Sequence, residues 1–141
     1  MLLNVSYNDK KITEKIDNEV GKPVTLKERF AMGGIGSPKL QITETSLEIQ
    51  NLLILDNNLN TCNIEMRPKG IIVRFRSLLE TYGLIIPYYK LTIYKGDFAV
   101  YSIYRDQYFI KVKSDTKAIQ KYFKKMLDYK ADNAPTSIED L

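Results

Sequence analysis

Histidine is absent from the 141-residue chain. That removes the commonest general base, the usual activating partner of a nucleophilic serine or cysteine, and the commonest metal ligand. Cys62 is the only cysteine, so no internal disulfide can form. One cysteine without histidine also excludes the usual structural zinc sites. No stretch reaches 18 apolar residues, the length that marks a membrane-spanning helix. The opening MLLNVSYNDKK lacks the basic and long apolar regions of a secretory signal, and the cytoplasm is the expected compartment. The glycine-rich stretch GGIGSPK, residues 33–39, has neither the phosphate-loop nor the G-x-G-x-x-G spacing. It reads as a flexible connection rather than as a cradle of backbone amides for phosphate. Glu65 and Glu80 are the only glutamates in strand-like segments, and nothing in the sequence places them together. No catalytic residue, metal site or cofactor is therefore expected.

What is present is ordinary for a globular domain: 44% hydrophobic and 27% charged residues. The length fits one domain. The net charge of +4 conceals an asymmetry. Residues 1–50 balance, with seven Lys/Arg and seven Asp/Glu, whereas residues 51–130 carry fourteen Lys/Arg against seven Asp/Glu. Asp132, Glu139 and Asp140 then make 131–141 an acidic tail, expected to be flexible. A basic central region favours anionic partners, or is simply a solvated surface.

The clearest local pattern is SDTKAIQKYFKKMLDYK, residues 114–130. On a helical wheel Ala118, Ile119, Tyr122, Phe123, Met126 and Leu127 fill one half, and Lys117, Lys121, Lys124, Lys125 and Asp128 the other. Ser114 or Asp115 is the expected N-cap, and the helix should fray near Lys130, which falls back on the apolar side. A basic amphipathic helix can lie on a membrane or bind a partner. Strand-like segments just upstream favour packing against its own domain.

Those segments begin at residue 46. The Leu/Ile-rich run 46–55 reads as a strand that ends at Asp56-Asn57-Asn58, a turn signal. Cys62, Ile64 and Met66 alternate with polar residues. After the turn Arg67-Pro68-Lys69-Gly70, Ile71, Val73 and Phe75 alternate with Ile72, Arg74 and Arg76. An apolar strand over 82–86 meets Pro87, which cannot donate to a ladder and should mark a break. A strand over 88–94, a turn at Lys95-Gly96-Asp97, and a last hairpin of 98–104 with 107–113 turning at Arg105-Asp106 complete the set. In the last strand Tyr108, Ile110 and Val112 should face inward. Thirteen of the fifteen Phe and Tyr residues fall between Phe75 and Tyr129, so the main core belongs there. Residues 1–45 read as an irregular N-terminal extension. Within it Leu2, Val5 and Tyr7 suit a short strand. Ile12, Ile16 and Val20 suit a short helix stopped by Gly21, and Thr25 with Glu28 forms a capping box. The expectation is a mainly β protein with α: about seven antiparallel strands in a barrel or bent sandwich, capped by one C-terminal helix.

In that order the chain resembles pleckstrin-homology-like (PH-like) domains, with the resemblance spanning 46–130 and sharpest over 69–129. Gly70 before a strand, the Ile86-Pro87-Tyr88 step and the final helix match a pattern of bacterial members. The resemblance implies a non-catalytic binding module for a protein partner, self-association or an anionic head group at a membrane surface. In eukaryotic relatives a lysine followed by a basic-x-Arg step across a hairpin binds phosphoinositides. Lys69, Arg74 and Arg76 in KGIIVRFR are a shortened version and the candidate anion-binding residues, with two solvated arginines as the alternative. The less favoured alternative is nucleic-acid binding by a basic, aromatic sheet, with Phe75 and Arg76 or Phe109 and Lys111 as suitable residue types.

Overall fold

The fold is given by a computed structural model, which describes residues 1–55, 60–96 and 99–132. The expected turn at 56–58, Asp97, Phe98 and residues 133–141 of the acidic tail lie outside them.

Among the described residues eight strands form one antiparallel sheet: β1 Leu2–Asn4, β2 Leu40–Thr45, β3 Thr61–Arg67, β4 Gly70–Ser77, β5 Glu80–Pro87, β6 Thr92–Gly96, β7 Val100–Arg105 and β8 Tyr108–Lys113. The order across the sheet is β1-β5-β4-β3-β2-β8-β7-β6, so it is open, with β1 and β6 at its edges. Among the described residues four helices accompany it: α1 Lys10–Val20, α2 Leu26–Met32, α3 Leu47–Ile54 and α4 Lys117–Asp132. Among the described residues no helix is long and apolar enough to cross a membrane.

Strand β2 joins two half-sheets. It pairs with β3 through Leu40 and Gln41, and with β8 through Ile42, Glu44 and Thr45, with a register shift between Ile42 and Glu44. A bulge of this kind bends a strand and sharpens its twist. Ile64, Val73, Leu84, Ile103, Ile110 and Val112 meet Ile119, Tyr122, Phe123 and Met126 of α4 in one core. Phe123 is fully buried, and its ring stacks on Tyr101 with centroids 4.2 Å apart. The expected inward positions Ile110 and Val112 are fully buried.

A second, smaller cluster lies on the other face of the sheet. Ile16 and Val20 of α1 cover Ile72 and Ile85, with Met1, Leu3, Val5 and Ile12 around them. β4 is therefore apolar on both faces over its first half, and Ile72 is buried rather than outward beside Arg74 and Arg76. Gly70 allows this double packing. A Cβ there would run into the Ile86 carbonyl oxygen and the Val20 side chain.

Several sequence expectations are corrected. The run 46–55 is not a strand; it forms α3, with Ile49 and Leu53 buried one turn apart. A short Leu/Ile-rich run supports either reading, because periodicity alone does not separate a buried strand from a buried helix. The strand that precedes it is β2, within the expected extension, so residues 1–45 supply two strands and the count is eight rather than seven. Pro87 ends β5 as expected, but Tyr88–Lys90 is a 3-10 turn, and the next strand starts only at Thr92. The last hairpin turns one residue later than expected, between Arg105 and Tyr108, with Asp106 at φ 52°.

α4 is capped by neither Ser114 nor Asp115: Thr116 Oγ1 accepts the Ile119 amide at 3.2 Å. Ser114 stays with the sheet, donating its amide to the Ala99 carbonyl at 2.7 Å, and this delays the helix. The helix also runs past Lys130 to Asp132, and its buried side is narrower than the wheel implied. Ala118 is exposed and Leu127 is 37% exposed. The expected short helix is α1, stopped by Gly21 at φ 87°. Thr25 is the N-cap of α2, its Oγ1 accepting the Glu28 amide at 3.3 Å, which is one half of the expected capping box.

Candidate binding surfaces

Lys69, Arg74 and Arg76 all lie on the β3–β4 hairpin, but it does not gather them. Lys69 is in the turn, with its amide bonded to the Val20 carbonyl and its carbonyl to the Tyr88 amide, both at 2.9 Å. Its side chain is exposed. Arg76 is exposed at the far end of β4, roughly 20 Å away at about 3.4 Å per strand residue. Arg74 and Arg76 share a face about 7 Å apart. However, Arg74 Nη1 is 2.6 Å from Glu65 Oε1 and half-buried. Only Arg76 of the two arginines has no ion pair among the described residues.

Glu65 is the centre of a network that the sequence did not reveal. Its Oε2 accepts Arg67 Nε at 2.5 Å while its Oε1 holds Arg74. Arg67 is buried, and its Nη1 also reaches Asp17 Oδ1 at 3.3 Å and the Gly21 carbonyl at 2.9 Å. Burial alone would raise the Glu65 pKa, but the two guanidiniums outweigh it and hold the carboxyl below its ordinary value. Arg105 plays a matching part at Glu19, between Asp17 and Gly21. It is buried, donates to the Ile85 carbonyl and reaches Glu19 Oε1 at 3.4 Å. These arginines sit at strand ends in alternation with apolar residues, so only the fold shows that they bind α1 rather than solvent.

Glu44, in β2, is a third strand glutamate, and the two expected from the sequence are far apart. Glu65 faces Ile72 and Glu80 faces Ser77, which separates them by about 17 Å along β4. Glu80 bonds instead to Asn4 Nδ2 at 3.3 Å and the Tyr7 hydroxyl at 3.2 Å. Among the described residues no group of three or more Cys, Asp or Glu could hold a metal ion.

The glycine-rich stretch is engaged with α4. Lys125 Nζ donates to the Gly34 carbonyl at 3.0 Å, and Tyr122 donates its hydroxyl to the Ile35 carbonyl at 2.8 Å. Gly36 bridges to Glu65 of β3. Lys121, Lys124 and Asp128 of α4 remain exposed, a solvated charged face.

Two features appear only in the structure. The first is the free edge. The Ser114–Ala99 hydrogen bond fixes the alternation of the β7–β8 ladder, so Val100, Ser102 and Tyr104 direct their backbone groups toward β6. Their partners are Gly96, Tyr94 and Thr92. Ile93 and Lys95 therefore direct N–H and C=O away from the sheet. Strand β6 has no proline and no register shift.

The second is a row of rings on the outer face, opposite α4. Tyr94 of β6, Tyr104 of β7 and Phe109 of β8 follow one another, each pair with centroids 5.6 Å apart. Lys111 Nζ stands 5.7 Å from the Phe109 centroid and 3.1 Å from Glu44 Oε2. Lys113, two residues on, is exposed on the same face. By contrast Phe75 is buried and stacks on Tyr82 inside the fold. Of the two aromatic–basic pairs singled out in the sequence, only Phe109 with Lys111 is outward.

No protein-family model, curated protein or solved structure matches the chain.

Proposed function

We propose that the chain is a cytoplasmic, non-catalytic PH-like binding module that takes a protein partner along the β6 edge. The PH-like reading is supported by seven antiparallel strands, β2 to β8, interrupted by α3 and a 3-10 turn and followed directly by a helix whose apolar side enters their core. The observation that carries the partner class is the pair of outward backbone groups at Ile93 and Lys95. An added strand satisfies such groups, and its alternate side chains supply specificity. An anionic head group fits the geometry less well, because Lys69 and Arg76 are at opposite ends of the hairpin and Glu65 neutralises Arg74.

Ile93→Pro tests this reading. The substitution removes an outward N–H and leaves the β7 ladder intact, so circular dichroism should be unchanged. Partners captured by the wild-type protein should be lost. Capture that survives in a folded Ile93→Pro variant overturns the edge reading. Co-sedimentation with phosphatidylserine vesicles, lost in Arg74→Ala/Arg76→Ala, would favour the head-group class instead.

A further inference from the structure

The ring row on the outer face carries an inference beyond the edge. Exposed aromatics on a sheet most often serve cross-strand packing, and Tyr104 with Phe109 does this as a directly opposed pair. Tyr94 is different. It is 61% exposed and prolongs the row to the last strand. The two lysines at the other end add a second element. Lys111 is paired with Glu44 and largely neutralised, while Lys113 has no ion pair among the described residues. Among the described residues, neither core cluster includes a ring of this row.

We propose that this face binds a single-stranded nucleic-acid segment, a base of which stacks on the exposed Tyr94 at the end of the ring row while Lys113, the lysine of this face without an ion pair among the described residues, meets a phosphate. Rings on adjacent strands with cations on the same face are the chemistry of base-stacking sheets. Charge complementarity selects the occupant: a flat π-face next to a phosphate fits an exposed ring row ended by the free cation of Lys113. The contacts use base faces and phosphates only, so RNA and DNA strands bind alike, and a duplex, whose bases are hidden, binds poorly.

The test is fluorescence anisotropy of labelled octamers of uridine and of thymidine, at low and moderate salt, against a duplex of equal length. Both octamers should bind at low salt and weaken as salt rises. Tyr94→Ala should weaken binding by about fivefold or more. Tyr94→Leu, which keeps apolar cover on the edge but removes the stacking face, should lose as much. Lys113→Ala should flatten the salt dependence. Lys124→Ala, on the α4 surface, should bind as the wild type does. No binding of either octamer at low salt overturns the proposal. So does a duplex bound as tightly, an unchanged affinity in Tyr94→Leu, or a loss in Lys124→Ala equal to that in Tyr94→Ala. Ile93→Pro leaves the row in place, so oligonucleotide binding retained there separates this surface from the edge.

Discussion

Replacing Phe123 with alanine removes a fully buried ring from the contact between α4 and the sheet. Large-to-small changes of this kind cost about 3–5 kcal/mol, because lost transfer energy adds to the cavity left behind. The upper part of that range applies here. The ring lies parallel to Tyr101 at 4.2 Å, with an interplanar angle of 3°, and Tyr122 meets it edge-on at 6.4 Å. Rigid rings on two sides leave little scope for collapse. With an m-value of about 2 kcal/mol/M, the urea midpoint should fall by roughly 2 M. Far-ultraviolet circular dichroism during urea titration measures this. A double-mutant cycle with Tyr101→Ala should give a coupling of about 0.5–1.5 kcal/mol for the stacked pair. Leu127→Ala, on the same nominal half of the wheel but 37% exposed, should cost only about 1 kcal/mol. Lys121→Ala should cost almost nothing. The packing argument fails if Phe123→Ala and Lys121→Ala lose equal, small amounts, or if Leu127→Ala costs as much as Phe123→Ala.

Gly70→Ala should destabilise by about 1–3 kcal/mol, since the new methyl meets the Ile86 backbone as well as Val20. Gly36→Ala has open space and should stay within about 0.5 kcal/mol; equal losses in urea titration would refute the close-approach account. The buried Cys62 thiol is pushed up to about 12, so a maleimide should label it at pH 8 only through unfolding, and fast labelling of the native protein would contradict its burial. The Glu65 pKa is lower folded than unfolded, so its contribution is complete above the ordinary value of 4.5 and disappears as pH falls through the folded value. The stability gap between wild type and Glu65→Gln should therefore shrink below pH 4.5. A gap independent of pH would show that the carboxylate charge is not what the arginines hold.

Legibility followed local rules. The amphipathic wheel found α4, the i, i+4, i+8 spacing with Gly21 found α1, and two-residue alternation found β3, β4 and β8. Where two rules fitted one stretch, the reading failed. The run from Leu47 is apolar enough for a strand, and only its burial against the sheet makes it α3. β2 was missed because Leu40 and Ile42 are its only large apolar residues, and most of its pairing is with distant β8. The candidate site was least legible. The spacing of Lys69, Arg74 and Arg76 gave no hint that Glu65 would take Arg74, or that α1 would cover Ile72. The ring row is a cross-strand feature, so Tyr94, Tyr104 and Phe109 become neighbours only once the register is known.

The shared strand β2 also bears on the order of folding. Strands β3, β4 and β5 follow one another through short turns and can pair as soon as they exist. The same holds for β6, β7 and β8. The union of the halves is different, because Ile42 must find Val112 and Thr45 must find Ile110 across about half of the chain. Closing so long a loop is entropically costly before any contact rewards it, and topologies dominated by such pairings fold slowly. During synthesis the first half-sheet emerges with β2 lacking its second neighbour. That open side is an unpaired strand edge until residue 113 has left the ribosome, the kind of exposure that makes nascent β-proteins prone to mispairing.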